Sequence, residues 1–460
     1  MHRCFSWNLF LVLLATSGPS FARPASELGA TGSEYRARRQ QVLEEMKKNG
    51  GDNAVLLLRA PRKANFSGDV DYPYRPDNDL YYLTGIPEPG CALLLSVAEF
   101  QGGHELLFYS PQDPAHVIWE GKRLDAKASS SISGVAEEQV REAESLPDLL
   151  AEVFFSAPFL SNHGSLHSRR TFYFLSGSGF APGEPPGEGY LFLIESLGSA
   201  AFFQDLRDPG TLVHPLRQIK SASELRQMQR AIDVTCEALR NAMRIARPHL
   251  FEYELRATIE KTFIERGCDG WSFPCIVGSG PNSCILHYQK YDRQAGDDEL
   301  VLMDVGAEFG FYAADVTRTI PLNGRFTKRQ RAVYEVVLRA QQNAIEAIRP
   351  GVQVRTVHDT AREEISKSLD ELGLEGNVDK YFPHGTSHGL GLNVHDPMPN
   401  ETLAVGMVIT VEPGIYIPKE SIGIRIEDDV LVTQNGSRVL SESAPKDPDA
   451  IEELMRNKKF

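Results

Sequence analysis

"ELVLMDVGAEFGFYAADVTRTI", residues 299–320, decides how this chain is read. Its apolar run breaks at Asp304, and a second acid, Asp315, follows a glycine-centred turn. A hairpin turning at Phe309 and Gly310 sets Glu308 opposite Phe311 and, counting back, Asp304 opposite Asp315. The two carboxylates then share one side of a sheet, with Cβ atoms roughly 5 Å apart. Bare carboxylates at that distance repel, and one must take a proton. Divalent cations remove the conflict. In an exposed hairpin the same acids would simply be solvated, but Asp304 interrupts an apolar run.

A second stretch does the same. "GMVITVEPGIYIP" (406–418) and "SIGIRIEDDVLVT" (421–433) are apolar runs joined by a polar turn around Lys419 and Glu420. Symmetric counting sets Glu412 opposite Glu427, with a bulge expected at Pro413 and Gly414. Four buried carboxylates without cations would be prohibitively costly, and two divalent metals balance their charge. Between these stretches, "HGTSHGLGLNVHD" (384–396) holds three of the chain's 12 histidines. His384 and His388 have helical spacing, yet Gly385, Gly389 and Gly391 argue for loop or strand. A neutral imidazole beside carboxylates suits a first-row transition metal. Each histidine taken alone would read as an ordinary loop or core residue.

The rest of the chain frames these motifs. Arg3, an apolar run around residues 9–15 and a small-x-Ala pattern at 20–22 predict a cleaved export signal over 1–22. The run is too short to span a bilayer, so no stable membrane anchor is expected. Periplasmic or secreted localisation follows from that leader. The formal charge of −14, without a basic block, speaks against nucleic acid. Cys91, Cys236, Cys268, Cys275 and Cys284 form an odd, sparse set without CxxC, which is no disulfide framework, although one bridge among the last four is compatible with it.

Residues 34–212 alternate helical stretches ("SEYRARRQQVLEEMKKNGG") with strand runs ("NAVLLLRA", "CALLLSVAEF", "HELLFYS"), predicting an α/β layer domain. "APGEPPGEG" (181–189) reads as a loop within it. Ser221 or Ser223 caps a new helix where the second domain, 213–452, begins. "NAMRIARP" (241–248) and "NAIEAIRP" (343–350) each end one helix and precede another, then strands. This parallel order predicts an α+β domain with an internal two-fold repeat. The tail "IEELMRNKKF" reads as a surface helix.

In order, "DVGAEFGFYAADVTRT", "HGTSHGLGLNVHD", "TVEPGIYIP" and "GIRIEDD" closely resemble the pita-bread metallopeptidases, aminopeptidase P above all and prolidase next. "YPYRPDNDLYYLTGIPEPGCALLL" resembles the aminopeptidase P N-terminal domain. The resemblance implies a pita-bread catalytic domain behind an α/β domain of aminopeptidase P type. It implies two divalent ions, manganese by family habit, with Asp304 on one and Asp315 bridging both. His388 and Glu412 would complete the other shell, and Glu427 would bridge. His384, His395 and His287 match positions that bind substrate or relay protons, and Arg425 one that supports the acids. Glu412 would also serve as the general acid and base. The implied substrate is a peptide with proline in second position, and the implied assembly a homo-oligomer, dimer or tetramer. A prolidase limited to Xaa-Pro dipeptides is the alternative. A metal-free non-peptidase of the same fold is disfavoured, since all five ligand positions are filled.

Overall fold

The computed structural model describes residues 28–112, 114–155, 171–174 and 205–457. The leader-like segment 1–22 and the Pro/Gly-rich stretch 181–189 lie outside the described residues. Helix α1 (Gly32–Gly50) begins under Thr31, whose hydroxyl accepts the Glu34 N–H, and ends at Gly51 with φ 80°. Strand β1 (Val55–Arg59) follows, then α2 (Asn78–Thr84), β2 (Ala92–Phe100), β3 (Gly103–Tyr109), β4 (Val140–Glu142), β5 (Thr171–Phe174) and β6 (Asp205–Arg207). They form a mixed sheet in the order β4-β3-β2-β1-β5-β6. β1 lies antiparallel to β2 and parallel to β5. Its unbroken "VLLL" fits that central place, because both faces are covered. Leu56 and Leu58 enter the main core, while Val55 and Leu57 pack with Phe172 and Phe174.

The second half opens with α3 (Gly210–Gln218) and α4 (Ala222–Ile245). Ser221 is the cap of α4, in a capping box with Glu224. α5 (Glu252–Glu265) packs back on α4. After strands β7 (Ile276–Ser279), β8 (Leu300–Val305), β9 (Ala307–Phe309), β10 (Tyr312–Ala313) and β11 (Val316–Pro321), the pattern recurs. α6 (Lys328–Ala347) starts with a Thr327 and Gln330 capping box, and α7 (Val354–Ser368) packs back on it. The turn after each repeated Arg-Pro is left-handed, with φ 62° at His249 and 88° at Gly351. Strands β12 (Val408–Val411), β13 (Gly414–Ile417), β14 (Ile422–Arg425), β15 (Asp428–Thr433) and β16 (Gly436–Val439) complete the second half-unit. The internal repeat is thus carried by caps, helix pairs and turns.

Some details differ from the sequence reading. The first hairpin turns at Gly310 and Phe311, both left-handed (φ 57° and 66°), with Phe309 opposite Tyr312. Asp304 therefore faces Thr317, and not Asp315. Two consecutive left-handed residues make the turn whose twist suits a tight hairpin. Phe311 is an unusual occupant there, held by edge-on packing on Tyr81 with ring centroids 4.8 Å apart. A shift of two residues keeps every side chain on its face, so both acids still look the same way. Secondly, α8 (Pro448–Arg456) is no mere surface helix, because Ile451 and Met455 are buried. The five described cysteines are free thiols. Among the described residues no helix is long and apolar enough to cross a membrane.

Candidate metal centre

Asp304 comes from β8, buried along its whole length and hydrogen-bonded between β7 and β11. Asp315 sits just before β11, where the chain passes from the β9–β10 hairpin into the β8–β11 ladder. That crossing is tight: a Cβ on Gly306 would lie 1.7 Å from the Ala314 carbonyl oxygen. Glycine at 306 is therefore a condition of placing Asp315.

Glu412 and Glu427 come from the second half-unit. Val411 faces Asp428 in one ladder and Gly414 faces Arg425 in the next, in one unbroken count. The two glutamates stand opposite each other in the gap between the ladders, as symmetric counting predicted. The expected bulge at Pro413 and Gly414 is absent, and a break in pairing takes its place. His388 comes from the glycine-rich loop. Its Nδ1 lies 3.0 Å from the Gly389 carbonyl, which fixes the proton on that nitrogen. Nε2 is thereby left to face Asp315 and Glu412, each 3.5 Å away. Ligand atoms of Asp315, His388 and Glu427 all lie within 4.8 Å of one another.

Around the acids runs a hydrogen-bonded frame. The Arg425 guanidinium donates to Asp304 Oδ2 at 2.6 Å, to the Tyr416 hydroxyl at 2.7 Å and to Thr317 Oγ1 at 3.2 Å. Thr317 in turn donates to Glu427 at 2.7 Å. His384 lies 2.7 Å from the Gly385 carbonyl through Nδ1 and 2.9 Å from the Tyr416 hydroxyl through Nε2. Both of its nitrogens are engaged within the protein, so it braces Tyr416 and, through it, Arg425. Burial, reinforced by Arg425, lowers the His384 pKa to about 4, so its ring is neutral near pH 7. The Asp315 N–H is held at 3.2 Å by Asp429, itself fully buried.

Such crowding has an electrostatic consequence. Burial and the Asp304 charge push the Asp315 carboxyl well above the usual range. Burial and Asp315 do the same to Glu427. Burial pushes Glu412 up to about 7 against the pull of Arg425, with the Asp304 charge adding to the rise. Asp304 Oδ1 is buried and has no hydrogen-bond partner among the described residues. An orphaned carboxylate oxygen, and acids held above their usual range around one imidazole, are a donor set that suits a divalent cation. The residues fit divalent metal.

A cleft of about 1340 Å³ opens over the centre, with His287, His384 and His395 on its walls. The His395 ring lies 4.0 Å from that of His388, and burial with the neighbouring His388 and His287 lowers its pKa. The N-terminal domain contributes Tyr72 and Arg75 to the same cleft. All eight acids and histidines singled out in the sequence, and Arg425 with them, converge here.

Sequence reasoning missed several supports: Thr317, Tyr416 and Asp429 close to the acids, and Arg75 at the rim. "TRT" and "GIYI" offered no chemistry of their own. Asp429, beside Glu427 and Asp428 within an apolar strand, was a signal that could have been taken up.

Comparisons with known proteins place the fold in a family. Residues 226–434 match the family model of metallopeptidase family M24, and residues 35–158 match that of the aminopeptidase P N-terminal domain. The chain is 35% identical to the Xaa-Pro aminopeptidase of Haemophilus influenzae, over 92% of this chain and 97% of that protein. It is 35% identical to the Xaa-Pro aminopeptidase of Escherichia coli, again over 92% and 97%. Among solved structures, aminopeptidase PepP of Pseudomonas aeruginosa superposes with a TM-score of 0.82 at 32% identity, covering 94% of this chain and 99% of that one. The chain belongs to metallopeptidase family M24, in its aminopeptidase P branch, and is a metallo-exopeptidase with a pita-bread catalytic domain.

Proposed function

We propose that the protein is an exported aminopeptidase that uses two divalent ions to release the first residue from peptides with proline in second position. The observation that carries this reading is the set Asp304, Asp315, His388, Glu412 and Glu427, facing a cleft of about 1340 Å³. That volume exceeds the roughly 300–1,000 Å³ usual for small-molecule pockets, which favours substrates longer than the dipeptide of a prolidase. The named relatives support the proline preference. Asp304, Asp315, His388, Glu412 and Glu427 would hold the ions. Four carboxylates and one imidazole suit manganese, cobalt, zinc or iron alike, and manganese is assigned here on the family resemblance alone. When bound, the ions lower the pKa of water and polarise the scissile carbonyl.

The chain's own groups do the rest. Glu412 accepts the proton of the attacking water and delivers it to the leaving proline nitrogen. His287 and His395, on the open side of the cleft, donate to the developing oxyanion or orient the peptide. His384 holds Tyr416, and Arg425 holds Asp304, so both act by keeping the frame still. An imide nitrogen carries no N–H, and so suits recognition of the proline ring by shape. Export rests on the leader-like segment 1–22. Self-association, as dimer or tetramer, is supported by Ile118 and Trp119, which stand 86% and 82% exposed on the N-terminal domain.

Mass spectrometry of products tests the reading. Manganese-loaded protein is offered an Xaa-Pro dipeptide and a longer Xaa-Pro-started peptide together. Release of the first residue from the longer peptide is expected. Cleavage of the dipeptide alone would make the enzyme a prolidase, and cleavage of neither would reopen the non-peptidase reading.

A further inference from the structure

We infer that Arg217, together with Asp396, is a positioning pair through which the N-terminal domain holds His395 in place. Asp396 follows His395 directly, and its side chain is only 1% exposed. Its Oδ1 accepts from Arg217 at 2.5 Å and from the Asn393 N–H at 3.1 Å, and its Oδ2 accepts from Lys220 at 3.0 Å. Arg217 lies on α3 and reaches the other way to Asp79 of α2 at 2.6 Å. His214, a turn earlier on α3, faces the same Asp79 at 3.2 Å. Asp79, Arg217, Asp396 and Lys220 thus form one buried chain running from the first domain to the residue beside His395.

The loop needs such a hold. Gly389 and Gly391 give the segment little stiffness of its own, and among the described residues the His395 ring makes no hydrogen bond and touches the His388 ring. The Asp396 N–H closes the loop on the Gly389 carbonyl at 2.9 Å. Its carboxylate then fastens the closed loop to α3. A Cβ on Gly391 would lie 2.6 Å from Asp396 Oδ2, so the loop is wrapped directly onto that carboxylate. Buried ion pairs of this kind add little net stability over apolar packing, and their best-attested use is to fix one arrangement against others. What Arg217 fixes is the position of His395 over the centre.

This inference rests on the role given to His395 above, and a double-mutant cycle separates the two. Arg217→Met is expected to lower kcat by about 10- to 100-fold, as loss of an outer-shell support does, with KM changed less than about 3-fold. In a His395→Ala background the same substitution should cost less than about 3-fold, because the group it positions is gone. Arg217→Lys should restore part of the loss. Hydrogen exchange in residues 389–396 should quicken in Arg217→Met and not in His395→Ala. Equal kcat losses in both backgrounds would overturn the inference and leave the cluster a structural one. Full activity of His395→Ala would overturn the role of His395 itself. Should Arg217→Met fail to fold, Asp396→Asn, nearly isosteric, carries the same cycle with the same two outcomes.

Discussion

A Cβ atom on Gly423 would lie 2.1 Å from the carbonyl oxygen of Ser283, while the Ser283 hydroxyl accepts the Gly423 N–H at 2.8 Å. Ser283 belongs to the turn Gly280–Cys284 that leads to His287, and Gly423 lies two residues before Arg425 on β14. Backbone thus bears directly on backbone between the segment carrying a cleft histidine and the strand carrying the arginine of the frame. Gly423→Ala is expected to cost about 2–3 kcal/mol of stability, because neither side of the contact is a flexible side chain. Chemical denaturation measures it. A loss below about 0.5 kcal/mol, the range of ordinary surface changes, would show that the contact yields freely.

Asp315→Asn removes one of the acids proposed to bind metal and leaves the fold's packing nearly untouched. The variant should hold at most one ion per chain, and its activity should fall by more than the ~10- to 100-fold typical of outer-shell losses. Elemental analysis of manganese-loaded protein, with a matched assay, checks both. Two ions and full activity in this variant would remove the basis of the proposed centre.

Arg425→Lys keeps the charge and loses the fork. One ammonium cannot hold Asp304, Tyr416 and Thr317 from a single position. Metal affinity should drop about 10- to 100-fold, read by competition with a chelator, while the melting temperature of the metal-free form changes little. An unchanged affinity would mean that Asp304 is oriented without its partner.

The raised carboxyls also set a pH dependence. In the metal-free fold Glu412 titrates near 7, above its ordinary 4.5, and Asp315 and Glu427 lie well above their ordinary values. The folded form therefore binds more protons than the unfolded chain across that window, and its stability declines as pH rises through it. Metal binding displaces those protons, so affinity should strengthen between about pH 5 and 8. Calorimetry in two buffers of different ionisation enthalpy should register proton release. A thermal gain on adding manganese that stays flat over this range would contradict the assignment.

How much of this was legible beforehand depends on what each residue has to do. Glu412 and Glu427 could be paired by counting, because the turn at Pro418–Glu420 is polar and the ladders on either side keep one register. Asp304 and Asp315 could be placed on one face but not in register, since nothing in "EFGFYA" reveals that Phe311 takes the left-handed half of the turn. Its conformation is held from outside, by Tyr81. Arg217 was unreadable for the same reason. Its two carboxylate partners are 138 and 179 residues away in sequence, and no local pattern announces a pairing made only by folding.

Arg75 donates to the Leu392 carbonyl, and Asn78 pairs with Asn393, across 317 and 315 residues of chain. These contacts have a bearing on biosynthesis. The first domain can form its sheet early, but Arg75 and Asn78 have nothing to meet until the histidine loop, late in the chain, exists. Assembly of the centre is therefore a late, long-range event, slow by the measure of loop closure. If the chain crosses a membrane unfolded, the centre is completed on the far side, from whatever ions that compartment supplies.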